Sequence, residues 1–164
     1  MINKNQLTER SFTPSQLSGF DGAHSIQLPV DFIHDLSKAD SLQAVLDTIA
    51  YWISHVFDAD RASITLQDTE EYLKLYSISG NHAIPMDFKI PIGQTFVGRV
   101  FACAKLIICD DLAQSDELDC KMLSEHGMGT CMDAPMIHNG VCIGTLNVAD
   151  QRKHHYTLQQ AILL

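Results

Sequence analysis

Asn139-Gly140 sits between two runs rich in β-formers, residues 130–138 and 141–148. A two-residue loop of that composition asks for a type I′ turn, in which both central residues take positive φ. The turn commits this part of the chain to a β-hairpin and predicts its register. His138 opposes Val141, Met136 opposes Ile143, Ala134 opposes Thr145 and Met132 opposes Asn147. One face then carries Thr130, Met132, Ala134, Met136, Ile143, Thr145 and Asn147. The other carries Cys131, Asp133, Pro135, Ile137, Cys142, Gly144, Leu146 and Val148. Both faces are mainly apolar, so the hairpin is expected to belong to a sheet covered on both sides.

The rest of the chain supplies the covers. Val30, Ile33 and Leu36 keep helical spacing after Pro29, a residue suited to a first helical turn. A stronger helix follows at 41–57, where Leu42, Val45, Leu46, Ile49, Ile53 and Val56 form a stripe that Asp40 or Ser41 can cap. Tyr51, Trp52 and Phe57 widen it, enough to meet either its own domain or a second subunit. Residues 61–66 and 71–79 alternate and read as a second hairpin, with Ala62, Ile64 and Leu66 on one face. Then come a loop over 82–89, a short strand over 88–92 and a helix over 96–104 with Thr95 as N-cap. A brief strand at 106–109 and a helix from about 115 to His126 follow. Residues 1–27 are polar and without a period, and are expected to form a flexible leader. A final helix begins near Tyr156 and reaches Leu163-Leu164 without a terminator, so we expect it to continue into an effector module beyond residue 164.

Bulk properties exclude some classes. The chain of 164 residues has a net charge of −9 and no cluster of Lys or Arg, which argues against nucleic acid and anionic membrane surfaces. No apolar run approaches the about 18 residues of a spanning helix. There is no secretory leader pattern, so a cytoplasmic location is expected. Five cysteines, an odd number without a C-x-x-C pair, read as reduced thiols rather than a disulfide framework or a zinc site. Cys103, Cys109 and Cys142 lie in apolar runs and read as small buried hydrophobes.

Four runs, taken in order, carry a resemblance. They are Ile90-Pro91-Ile92-Gly93-Gln94-Thr95-Phe96-Val97-Gly98-Arg99-Val100, Asp110-Asp111-Leu112 after a short strand, Ala134-Pro135-Met136-Ile137, and Gly140-Val141-Cys142-Ile143-Gly144-Thr145-Leu146-Asn147-Val148. Over residues 28–164 the chain resembles a GAF domain. The resemblance implies an α+β, PAS-related fold with a central antiparallel sheet of about six strands. Terminal helices would cover one face; short helices and loops would enclose a small-molecule pocket on the other. It also implies a regulatory sensor placed ahead of a cyclase, diguanylate cyclase, phosphodiesterase, histidine kinase or transcription activator.

Subfamily signatures can be checked by position. Cyclic-nucleotide readers resemble an Asn-Lys, Phe, Asp-Glu pattern around the last strand and helix; here those places hold Asp150-Gln151, Tyr156 and Gln160-Ala161, which disfavours cyclic nucleotides. Members that reduce free methionine sulfoxide need a Cys in the Gly-rich turn, where this chain has Val97. Cys120 or Cys131 stands where a bilin attachment is conceivable, without the neighbouring motifs.

The candidate pocket residues are Phe88, Phe96, Val97, Cys109, Asp111, Met122, His126, Thr130, Met132, Thr145 and Asn147, and the candidate dimer helix presents Val45, Ile49, Trp52 and Val56. No catalytic set, metal site or cofactor is read. The expected function is sensing of an unknown small molecule by a homodimer, passed through its terminal helices. The alternatives are a methionine sulfoxide reductase-like or thiol redox-sensing protein using Cys109, Cys120 or Cys131, and a ligand-free dimerisation module.

Overall fold

The computed structural model describes residues 8–18 and 28–164. Its strands are β1 (Glu9–Phe12), β2 (Arg61–Gln67), β3 (Tyr72–Gly80), β4 (Lys89–Pro91), β5 (Leu106–Cys109), β6 (Thr130–His138) and β7 (Val141–Asp150). They form one antiparallel sheet in the order β1-β5-β6-β7-β2-β3-β4. The helices are α1 (Pro14–Ser18), α2 (Val30–Lys38), α3 (Leu42–Val56), α4 (Phe96–Cys103), α5 (Leu118–Glu125) and α6 (Leu158–Leu163). The α+β architecture expected above is present, with seven strands.

The seventh strand is β1, in a segment where no regular structure was expected. It pairs with β5, Glu9 opposite Cys109 through Phe12 opposite Leu106. Arg10 fastens it: Nε and Nη2 donate to the two carboxylate oxygens of Asp110 at 3.0 and 2.6 Å, and Nη2 also donates to the carbonyl of Tyr156 at 2.7 Å. The helix α1 (Pro14–Ser18) also falls within the expected leader, and residues 1–7 and 19–27 of it lie outside the described residues.

Helix starts follow local chemistry. The Ser41 hydroxyl accepts the N–H of Ala44, and the Thr95 hydroxyl accepts the N–H of Gly98. Each satisfies one of the amides that a helix start leaves without a partner.

Two apolar layers sandwich the sheet. On one face Phe57, Ala62, Ile108, Met132, Val148, Tyr156 and Ala161 form a cluster under the terminal helices. On the other, Leu73, Leu75, Ile90, Phe96, Val100, Ile107, Cys109, Cys131 and Leu123 pack beneath α4, α5 and the loop after β3.

The closing hairpin turns at Asn139 (φ 50°) and Gly140 (φ 78°), as the dipeptide predicts. Its first two pairs are His138 with Val141 and Ile137 with Cys142. A bulge then corrects the expected register, since Met136 pairs with Gly144 rather than Ile143. Beyond it Ala134 opposes Leu146, Asp133 opposes Asn147 and Met132 opposes Val148. Every β7 side chain past the bulge therefore changes partners. Thr145 and Asn147 share a face with Cys131 and Asp133, not with Thr130 and Met132. The reason is tertiary. Gly144 runs so close to β2 that a Cβ there would strike the carbonyl of Thr65, so this position is forced against the neighbouring strand.

Candidate functional site

The cavity that follows from this register lies between the sheet and α4–α5. It has a volume of about 30 Å³, room for about two waters. Its floor is Arg61, Ser63 and Thr65 of β2, Asp133 of β6 and Asn147 of β7; its walls include Leu75, Ile84, Ile90, Val97, Asp119 and Leu123. A polar floor under an apolar roof is the usual composition of a small-molecule site.

The floor is ordered row by row. Across β6, β7 and β2, Asp133 stands opposite Asn147, and Asn147 stands opposite Ser63. Asn147 Nδ2 donates to Ser63 Oγ at 3.3 Å. The other end of that amide, Oδ1, is buried without a hydrogen-bond partner. In the neighbouring row the hydroxyls of Thr65 and Thr145 bond each other at 2.5 Å.

Charge is concentrated at one end. Asp133 is 5% exposed, and burial pushes its carboxyl well above the usual range, with Asp119 adding to the shift and Arg61 opposing it. Burial also lowers the Arg61 guanidinium to about 10, against the pull of Asp133, leaving it charged at neutral pH. Arg61 spends Nη1 on the carbonyl of Asn81 at 2.5 Å and Nη2 on that of Ile84 at 3.3 Å. It thereby pins the loop after β3 over the cavity. Asp119 is likewise raised by burial, with the N–H groups of Val97 and Phe96 opposing.

A chain of three thiols lies beside the cavity, with Cys120 within hydrogen-bond reach of both Cys109 and Cys131. All three are buried. Burial pushes the Cys131 thiol far up, and the hydrogen bond Cys109 gives Cys120, with burial, does the same for Cys109. Such thiols are poor nucleophiles at neutral pH. Cys103, read from its apolar run as buried, is exposed on the outer side of α4. Among the described residues no three His, Cys, Asp or Glu side chains are placed to hold a metal ion together.

Of the residues singled out in the sequence, Val97 and Asn147 line the cavity. Phe96 and Cys109 are buried in the adjoining cluster, against which Phe88 and Met122 pack. Thr145 is buried against Thr65. Asp111 sits at the surface, paired with Lys153 at 3.1 Å, and His126 is exposed with Nδ1 2.8 Å from the carbonyl of Met122. Met132 belongs to the opposite layer, and Thr130 donates to the carbonyl of Cys109 at 2.6 Å. On α3, Val45 and Ile49 are half-buried, Val56 packs on the layer under the terminal helices, and Trp52 turns onto α2, its Nε1 donating to Asp35 at 2.9 Å. Sequence reasoning missed Arg61, Asp119 and Asp133. The available signal was a lone Asp within the run Cys131-Met132-Asp133-Ala134, a charge in a strand expected to be covered on both faces.

Comparison with known proteins agrees with this architecture. The family model of the GAF domain matches residues 41–164. The chain belongs to the GAF domain family, whose members are mostly regulatory sensory domains, with some reductases among its structural neighbours. Among solved structures it is similar to the GAF domain of a phosphoenolpyruvate-protein phosphotransferase from Coxiella burnetii. That match has a TM-score of 0.70 and 18% identity, covering 80% of this chain and 81% of the other. The corresponding domain from Acinetobacter matches with a TM-score of 0.67 and 15% identity, covering 81% of each chain. Free methionine-R-sulfoxide reductase from Neisseria meningitidis, solved with its substrate, matches with a TM-score of 0.64 and 17% identity, over 86% of this chain and 93% of that one. At these identities the likeness concerns the fold. No curated protein sequence matches. No helix among the described residues is long and apolar enough to cross a membrane.

Proposed function

We propose that this chain is the sensory domain of a signal-transduction protein and binds a small molecule in the cavity over β2, β6 and β7. The observation that carries the reading is the polar floor of that cavity, where Asn147 Oδ1 is buried without a hydrogen-bond partner opposite the buried Asp133. Groups so placed cost stability unless something is bound to them. A ligand that favours one arrangement of α4, α5 and the loop after β3 biases the sheet and the terminal helices behind it. The output is a cyclase, diguanylate cyclase, phosphodiesterase or histidine kinase module, and the domain works as a homodimer. The dimer surface on this reading includes Val30, Ile33, Leu42 and Tyr51, exposed by 81%, 55%, 65% and 50%, beside the α3 stripe of Val45, Ile49, Trp52 and Val56. Native mass spectrometry of protein taken from cells tests the ligand. A retained small molecule supports the reading, and a bare chain with no ligand from any cell extract opposes it. Light scattering tests the dimer; a strict monomer at high micromolar concentration removes that part.

The second reading is reduction of free methionine sulfoxide. The Neisseria reductase fold and the buried Cys109, Cys120 and Cys131 favour it; Val97 in the Gly-rich turn and the raised thiols oppose it. A coupled NADPH assay decides, with no turnover expected.

A further inference from the structure

We propose that the cavity takes a small primary ammonium compound, its –NH3+ group donating to both Asp133 and Asn147. The proposal rests on the sensory reading above and narrows it to a ligand class.

The first argument is hydrogen-bond accounting. Asn147 Oδ1 is buried without a partner, and the Asp133 carboxyl, 5% exposed, stands opposite it. In the orientation shown Nδ2 is spent on Ser63 Oγ; turned round, the amide would accept from the Ser63 hydroxyl instead, and an ammonium in the cavity favours the orientation that leaves Oδ1 to receive it. The two acceptors are directly opposite in the β6–β7 ladder and on one face, which sets their Cβ atoms about 5 Å apart. One nitrogen at about 2.9 Å from each acceptor fits that span. A water brings two protons to such a site but no charge; an ammonium brings three donors and a positive charge.

Charge gives the second argument. Two buried carboxylates, Asp133 and Asp119, stand against one guanidinium, Arg61. Asp119 is satisfied by three backbone N–H groups. Arg61 is committed to the carbonyls of Asn81 and Ile84. Asp133 is opposed in its burial chiefly by the Arg61 charge and keeps its proton while no further cation is at hand; a bound ammonium would let the carboxyl ionise and supply the balancing positive charge. An anionic ligand would meet Asp133, and a neutral alcohol would supply a single donor.

The roof sets the size. Leu75, Ile84, Ile90, Val97 and Leu123 surround the remaining space. A cavity of about 30 Å³ holds an ammonium head and a carbon or two; a longer aliphatic tail requires the loop after β3 to rise. A quaternary ammonium has neither the N–H groups nor the size to fit.

The test is an NMR titration of the whole chain, isotopically labelled, with methylammonium and ethylammonium chloride. Sodium, tetramethylammonium and acetate salts at equal ionic strength, and propanol, are the comparisons. The expected result is saturable shifts of the Asn147 side-chain amide and the Leu75 methyls with the two primary ammonium salts alone. Affinity should fall about tenfold or more in Asp133→Asn, as loss of a hydrogen bond to a charged group predicts. A two-dimensional spectrum shows at once whether that variant is folded, and Asn147→Leu provides a second, uncharged removal of one acceptor. Equal response to tetramethylammonium, or unchanged affinity in both folded variants, overturns the proposal. Saturable shifts with acetate or propanol but not with the amines overturn it while leaving a sensory cavity standing. Silence from all probes overturns it too, and the native mass spectrum then decides separately whether the cavity senses anything.

Discussion

Asp119 on α5 holds the backbone N–H of Val97 on α4 at 3.0 Å, and its other carboxylate oxygen takes the N–H of Phe96 at 2.8 Å. A negative group at these first amides complements the helix dipole. The contact is also the seam of the cavity roof, since both Asp119 and Val97 line it. Asp119→Ala leaves buried donors unpaired and should cost about 1–3 kcal/mol in urea unfolding. Asp119→Asn, which keeps one acceptor oxygen, should cost less.

Asp133 makes a prediction about pH. Its carboxyl is raised in the folded chain, chiefly by burial. Below about pH 4, the ordinary range for Asp, it is protonated in both folded and unfolded chains and carries no penalty. As pH rises, the unfolded chain releases its proton first while the folded chain retains it, so stability falls until the folded carboxyl also ionises. Asp133→Asn removes this dependence. Denaturation of both proteins at several pH values should show wild type losing stability relative to the variant as pH rises above about 4. Parallel curves would contradict the burial assigned to Asp133.

Thiol reactivity should divide the cysteines by place. Cys103 is exposed, Cys142 is partly covered, and Cys109, Cys120 and Cys131 are buried. Timed labelling with a disulfide reagent at mildly alkaline pH should modify Cys103 first and Cys142 next. The other three should react only when the chain opens, and their rate should rise with denaturant.

The bulge in the closing hairpin predicts sensitivity at one glycine. In Gly144→Ala the added Cβ meets the Thr65 carbonyl, a backbone atom with no rotamer to change. We expect a loss of about 1–3 kcal/mol, typical of overpacking. Denaturant midpoints of wild type and variant measure it.

These positions separate what a sequence exposes from what it conceals. Ser41, Thr95 and Asn139-Gly140 act on backbone two or three residues away, and their caps and turn are where local chemistry places them. The helix stripe of α3 and the alternation of β2 were equally readable, and the order of the elements resembled one family. The register past Met136 was not, because it depends on Gly144 passing Thr65, a neighbour 79 positions away in the chain (144 minus 65). Asp133 was read as one residue of a mainly apolar face because its partner across the ladder changes with that bulge. β1 was hidden for a related reason. A four-residue edge strand has too few residues to show a period, and its ties run from Arg10 to Asp110 and from Glu9 to Arg99.

That short strand bears on how the domain stays apart from its own kind. β5 is Leu106-Ile107-Ile108-Cys109, wholly buried and apolar. With β1 in place its outward amides and carbonyls are spent on residues 9–12. A chain trimmed at residue 28, the start of the family resemblance, would present β5 as a bare hydrophobic edge, a template for edge-to-edge aggregation. Residues 9–12 thus act as a guard against self-templating, with Arg10 and Glu9 as its fasteners.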